Sequence, residues 1–223
     1  MNVNKIIDLN DSFYNKVWKQ FSNTRQYPLS GWNPLIPIIK RRFDRFSILD
    51  VGCGNGRFYG FLKNKFDSFD YTGIDNNKHL LDIFKRFYPK ASVIRKNIFD
   101  NVSSLNKRFD VIVAFGVTHH VPGKSFRIEW FNNICSLLNS GGLAIFTFWD
   151  FLYKKPTPAP KLEKNDFYLG WDNKKDVMRY CHFYSKEELI SIRNILSKKD
   201  IKLISTYKHD GNKNVYLIFE KGK

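Results

Sequence analysis

Apolar positions along the chain switch between two periods, and the switching predicts the fold. Phe13, Val17, Trp18 and Phe21 recur at helical spacing, which predicts an amphipathic helix over 11–21. Tyr27-Pro28 and Gly31 punctuate a loop. A second helix is expected over 32–42, with Leu35, Ile36 and Ile39 inward and Pro34 near its start. Residues 1–45 therefore read as a helical cap. Short apolar runs then alternate with helical patterns. Strands are expected at 46–51, 71–75, 92–95, 109–115 and 143–149, and helices at 57–66, 79–87 and 126–138. Asn139-Ser140-Gly141-Gly142 reads as a helix stop followed by a turn.

Strands alternating with helices of this length imply a parallel sheet covered on both faces, wound by right-handed crossovers. After Asp150 the pattern breaks. The stretch from Tyr153 to Tyr180 carries Pro156, Pro158 and Pro160 with lysines and aromatics and shows no period. Residues 151–184 read as an insertion over the ligand-binding edge of one domain spanning 1–223. Ser185 with Glu188 three residues on is a capping-box start to another helix. Strands are expected at 201–207 and 214–219, joined by a hairpin turn at His209-Asp210-Gly211-Asn212. The expected fold is α/β: a doubly wound, mostly parallel, seven-stranded sheet ending in an antiparallel strand.

Composition narrows the function classes. The 223 residues are 43% hydrophobic and 17% aromatic, enough for a sizeable core and too apolar for disorder. No run of about 18 apolar residues occurs, so no membrane span is expected. Met1 to Asn10 lacks the apolar core of a signal peptide, so a cytoplasmic protein is expected. Cys53, Cys135 and Cys181 are too few and too widely spaced for a disulfide framework or a zinc site, and no metal is expected. The net charge of +16 favours a polyanionic partner, although the Lys, Asn, Ile and Phe bias of an AT-rich genome would also produce it.

The chemistry concentrates in Ile48-Leu49-Asp50-Val51-Gly52-Cys53-Gly54-Asn55-Gly56. A buried strand ends in alternating glycines and a helix follows at once, so backbone can approach a ligand closely. Asp75 closes the next strand, 25 positions after Asp50. A carboxylate there accepts hydrogen bonds from both hydroxyls of a ribose. The dinucleotide fingerprint requires a third glycine three positions after the second, whereas here the spacing is Gly-x-Gly-x-Gly behind Asp50.

That pattern resembles the first motif of class I S-adenosylmethionine (SAM)-dependent methyltransferases. The resemblance implies that Gly52, Gly54 and Gly56 line the methionine part of SAM, with Asp50 near its amino group and Asp75 on the ribose. It places Asn97 and Ile98 near the adenine and Gly116 beneath the cofactor. Asn97 reads equally as a helix cap.

Three further segments are similar to one subgroup, the tRNA wobble-uridine methyltransferases of the Trm9 and AlkB-homolog-8 type. They are Asn23-Thr24-Arg25-Gln26-Tyr27-Pro28, Gly116-Val117-Thr118-His119-His120, and Arg179-Tyr180-Cys181-His182-Phe183 followed by Glu188-Leu189. Thr118 and Cys181 depart from the subgroup's apolar residue and tyrosine. The resemblance implies methyl-ester formation on a wobble 5-carboxymethyluridine, with tRNA as partner and a small zinc-binding activating protein beside it. An alternative is methylation of a small molecule. Arg25 and Arg179 are candidates to pair with a substrate carboxylate or phosphate, and His119, His120 and His182 to shape the pocket. Each also reads as an ordinary surface ion pair or loop residue. Phe151, Tyr153, Phe167, Tyr168, Trp171, Tyr180 and Tyr184, interleaved with Lys154, Lys155, Lys161, Lys164, Lys174 and Lys175, suit either stacking on unpaired bases or packing of the insertion.

Overall fold

The structure, a computed structural model, describes residues 2–150, 157–158, 163–171 and 174–223. Seven strands form one sheet in the order β3-β2-β1-β4-β5-β10-β9. They are β1 (Phe46–Val51), β2 (Phe69–Asp75), β3 (Ser92–Arg95), β4 (Phe109–Ala114), β5 (Leu138–Trp149), β9 (Ile201–His209) and β10 (Asn214–Lys221). The first five are parallel, and β10 runs antiparallel between β5 and β9, as the sequence pattern predicts. Alternate residues of β1 serve opposite faces. Leu49 and Val51 join one core, Phe46 and Ile48 the other. Burial on both faces explains why these strands are continuous apolar runs.

The helices divide between the two faces. Residues of α2 (Leu35–Lys40), α3 (Arg57–Lys63) and α4 (Lys78–Phe87) pack into the core holding Phe46 and Ile48. Residues of α5 (Lys124–Ser136) and α6 (Lys186–Ser197) pack into the core holding Leu49 and Val51. The capping box expected at Ser185 and Glu188 is present.

Three local expectations change. The first helix, α1 (Val3–Asn23), begins eight residues earlier than its periodic stripe, capped by the Asn2 side chain accepting from Lys5 N–H. Ile6, Ile7 and Asn10 supply the added inward face. The expected helix at 32–42 is a 3₁₀ turn at Ser30–Trp32 followed by the short α2. The stop and turn expected at Asn139–Gly142 belong to β5, which starts at Leu138. A register shift between Phe109 and Val111, with Gly141 at φ +73°, absorbs the extra residues as a bulge.

The aperiodic stretch after Asp150 contains antiparallel pairing: β6 (Thr157–Pro158), β7 (Asp166–Trp171) and β8 (Lys174–His182) form a second sheet. Phe151, Tyr153, Lys154, Lys155, Pro156, Pro160 and Lys161 lie outside the described residues. The core of α1 docks on β8 through Asn10, whose Oδ1 accepts from Tyr180 N–H at 2.7 Å and whose Nδ2 donates to Tyr180 O at 3.3 Å. Asn10→Ala strands this buried N–H, a loss of about 1–3 kcal/mol. Urea unfolding is expected to show the lower midpoint with an unchanged m-value.

Candidate active site

The site grows from the carboxyl ends of β1, β2 and β4, where an open α/β sheet leaves a crevice. Gly52 N–H and Cys53 N–H donate to Ile74 O at 2.8 and 3.1 Å, stapling the glycine turn to the end of β2. Asp75 completes the staple. Its Oδ2 accepts from Gly54 N–H at 2.9 Å and its Oδ1 from Asn77 N–H at 2.8 Å. Burial raises the Asp75 pKa, with these backbone N–H groups opposing the rise.

A cleft with about 630 Å³ of free space, part of it open to solvent, lies over this turn. Gly52, Gly54, Gly116 and Asp75 line it together with the apolar side chains of Leu80, Ile98, Phe99 and Val117 and with Tyr14 and His120. Gly54 and Gly116 have φ of +54° and +68°, and a Cβ on either would project into open space. Backbone that left-handed with empty volume in front of it suits a closely approaching ligand. An apolar wall, a fixed carboxylate and an exposed glycine turn fit a nucleoside bearing a polar chain.

Not every motif residue reaches this cleft. Asp50 sits behind the turn, accepting from the Tyr71 hydroxyl at 2.7 Å. Burial pushes its pKa up to about 7, the Tyr71 hydrogen bond opposing and Asp75 reinforcing. Gly56 packs against Phe84. The Asn97 side chain turns into its own loop, accepting from Phe99 N–H at 3.0 Å. These three hold the cleft's shape from behind.

A second hollow opens beside the first, sharing Tyr14, Phe21, Phe115 and Gly116 with it. Arg25, Arg57 and Arg179 line it together with Thr147 and Trp149, and no Asp or Glu among the described residues does. Arg179 is 6% exposed, and its Nε and Nη1 have no hydrogen-bond partner among the described residues. Its guanidinium lies over Phe13 at 4.7 Å and Trp149 at 5.6 Å. Arg25 rests on Phe21 at 4.3 Å and Trp171 at 5.2 Å. Burial, then the charge of Arg25, lowers the Arg57 pKa to about 10. A buried cation without a carboxylate is costly unless something anionic completes it.

The histidines separate. His120 lines the cleft, accepting at Nε2 from the Tyr14 hydroxyl at 2.7 Å. Its Nδ1 faces Tyr180 O, which only accepts, at 2.9 Å and Asn10 Nδ2, which only donates, at 3.3 Å; the shorter contact and the Tyr14 donor at Nε2 assign the proton to Nδ1. Burial and then Arg179 push its pKa down to about 3, so the ring is neutral. His119 lines neither hollow. It stacks on Trp149 with centroids 3.4 Å apart, and neither ring nitrogen has a partner among the described residues. Folding also brings Cys181 to the adjacent pair His119 and His120, though both His120 nitrogens are engaged.

His182, expected at the pocket, lies elsewhere. Its Nδ1 bonds Asp166 at 2.6 Å and its Nε2 bonds Glu188 at 2.9 Å. Arg127 adds ion pairs to Glu163 and Glu188, so this network clamps β7 and β8 to α5 and α6. Arg57, Tyr14 and Trp149 are site residues that sequence reading missed. Only Arg57 carried a signal there, directly after the glycine motif.

Sheet order, glycine turn and acidic strand end together define a class I SAM-dependent methyltransferase. The chain belongs to the methyltransferase domain family, whose pattern it matches over residues 23–195. It is 27% identical over 136 residues to the tRNA (carboxymethyluridine(34)-5-O)-methyltransferase of Saccharomyces cerevisiae. That match covers 61% of this chain and 46% of the yeast protein, so the chain spans less than half of that relative. The enzyme of the same name from Schizosaccharomyces pombe is 28% identical over 199 residues, covering 79% of this chain and 82% of that one. In fold the chain resembles a SAM-dependent methyltransferase of Methanosarcina mazei, with TM-score 0.66, 20% identity, and coverage of 83% and 97%. No helix among the described residues is long and apolar enough to cross a membrane.

Two outcomes are expected. Asp75→Ala releases the Gly54 and Asn77 N–H groups and removes the carboxylate, so calorimetry is expected to show SAM affinity lost by a hundredfold or more, roughly the loss of two charge-assisted hydrogen bonds. The second concerns pH. Burial disfavours charged His182, but its bonds to Asp166 and Glu188 prevail and raise its pKa. Its stabilisation is therefore complete below the unfolded value of about 6.5 and is lost as pH rises through the folded value. The urea midpoint of the wild type is expected to fall over that range, and that component is expected to be absent in His182→Gln.

Proposed function

We propose that this chain transfers the methyl group of SAM to the carboxylate of a wobble 5-carboxymethyluridine in tRNA, forming a methyl ester. The observation that carries this reading is the arginine-lined hollow, which no carboxylate among the described residues lines and which opens onto the cofactor cleft. The names of the yeast relatives support the same acceptor.

In this reading Asp75 binds the ribose hydroxyls, Ile98 and Phe99 flank the adenine, and Gly52, Gly54 and Gly116 let the methionine part approach the backbone. Asp50, Gly56 and Asn97 hold those groups in place. SAM supplies an electrophilic methyl group on a sulfonium. The acceptor is already ionised at neutral pH, so no general base is needed. One carboxylate oxygen forms the new bond to the methyl carbon as the carbon–sulfur bond breaks toward sulfur, and no proton moves.

The chain's residues contribute orientation and dryness. Arg179 offers a carboxylate two donors that have no partner among the described residues, and Arg25 adds a second guanidinium at the same hollow. Phe21, Phe115 and Trp149 keep water from the oxygen that attacks. Tyr14 lines both hollows and bonds neutral His120 on the cleft side, where positive charge would oppose the sulfonium.

The test is transfer of labelled methyl from SAM to tRNA carrying 5-carboxymethyluridine, with and without cell extract to supply an activating partner. Base-labile label in the anticodon loop is expected. Arg25→Ala and Arg179→Ala are each expected to keep SAM affinity and lower turnover by about a hundredfold, the scale of lost orientation. Label absent from tRNA but present in a small carboxylic acid from the extract would instead establish a small-molecule acceptor. Unchanged turnover in both variants would refute the arginine roles.

A further inference from the structure

One carboxylate saturates one forked guanidinium, yet three arginines line the acceptor hollow. Arg179 is the buried one, while Arg25 and Arg57 are half-buried. The only hydrogen bond that the Arg57 side chain makes among the described residues is from Nη1 to Tyr27 O, at 3.4 Å, and its guanidinium otherwise rests on Trp32 at 5.2 Å. A cation so placed, within the fields of Asp210 and Asp50 but in no ion pair among the described residues, has capacity for an anion beyond the one being methylated.

Tyr27, on the same loop, is 84% exposed, more than any other large apolar side chain among the described residues. Its backbone is nonetheless tied down. Arg25 N–H donates to Ser22 O at 2.9 Å, the Gln26 amide to Ser22 O at 2.7 Å, and Asn55 Nδ2 to Arg25 O at 3.2 Å. Pro28 restricts Tyr27 further to extended conformations. The loop thus hangs from Asn55 and Arg57 of the glycine-turn region and presents an aromatic face to solvent beside the arginine hollow. A held aromatic face next to guanidinium groups that form no ion pair among the described residues matches the chemistry of an unpaired base and its phosphate, and the net charge of +16 favours a polyanion.

We propose, building on the acceptor reading above, that Tyr27 and Arg57 form a second nucleotide subsite for single-stranded RNA. Tyr27 stacks on the base next to the methylated nucleotide, and Arg57 contacts a phosphate of that neighbour. The subsite confers preference for a nucleotide within a strand over a free nucleoside or small acid.

The experiment is fluorescence anisotropy with a labelled single-stranded uridine hexamer and the full chain. Tyr27→Ala is expected to weaken binding about tenfold, the value of one base–aromatic stack, and Tyr27→Phe to bind as the wild type does. Arg57→Ala is expected to reduce the slope of log affinity against log salt by about 0.7, one phosphate contact on a single strand. SAM affinity measured on the same preparations controls for folding. Equal affinity of Tyr27→Ala and wild type, or failure of the wild type to bind the hexamer at low salt, overturns the proposal. A Tyr27→Phe variant as weak as Tyr27→Ala overturns the stacking role, because the hydroxyl would then be responsible. Methyl transfer to tRNA tests the acceptor reading independently: binding that depends on Tyr27 without transfer would leave the subsite standing and remove the ester chemistry, and transfer with an unchanged tRNA KM in Tyr27→Ala would do the reverse.

Discussion

The carboxylate of Asp75 accepts backbone N–H groups from Gly54 and Asn77, and through them it fixes the ends of two adjacent strands relative to one another. The cleft depends on this arrangement. The same group that would hold a ribose also holds the turn that lets a ligand approach backbone. Parallel pairing of β1 with β2 makes this possible, because it brings the carboxyl ends of both strands to one edge of the sheet. Asp50, buried behind the turn and bonded to Tyr71, stiffens the same junction without facing the cleft.

Beyond that junction the chemistry is governed by cations that form no ion pair among the described residues. Arg25, Arg57 and Arg179 converge from three separate parts of the chain on a hollow that no acidic residue among those described lines. Their guanidinium groups rest on Phe21, Trp32, Trp149 and Trp171, whose faces attract cations while contributing no formal negative charge. The hollow is left receptive to an anion. The two histidines beside it respond to the same positive field and to burial by remaining neutral.

A separate ionic cluster places part of that constellation. His182, Asp166, Glu188, Arg127 and Glu163 join the small second sheet to α5 and α6. Arg179 lies three residues before His182 on β8, and α1 is pinned to Tyr180 of the same strand. The network therefore positions Arg179 against Phe13 and Trp149 from outside the pocket. His182 belongs to the scaffold, although it shares a sequence segment with a substrate candidate.

The alternation of apolar runs and helical stripes determined by itself the seven-stranded, doubly wound sheet and its antiparallel end, because each parallel strand must bury both faces. The glycine turn and Asp75 were legible for the same local reason: strand, turn and strand-end carboxylate are encoded within a few residues. Tertiary structure decided everything that depends on distant segments meeting. The stretch after Asp150 shows no period, yet β7 and β8 pair there, since antiparallel pairing and burial against α1 need no regular apolar stripe. Which histidine faces the cleft, which stacks on Trp149 and which enters an ion network depended on where β8 docks. Arg57 became the third arginine of a hollow only because the loop carrying Arg25 folds over the glycine turn, a contact between segments some thirty residues apart that neither period nor motif encodes.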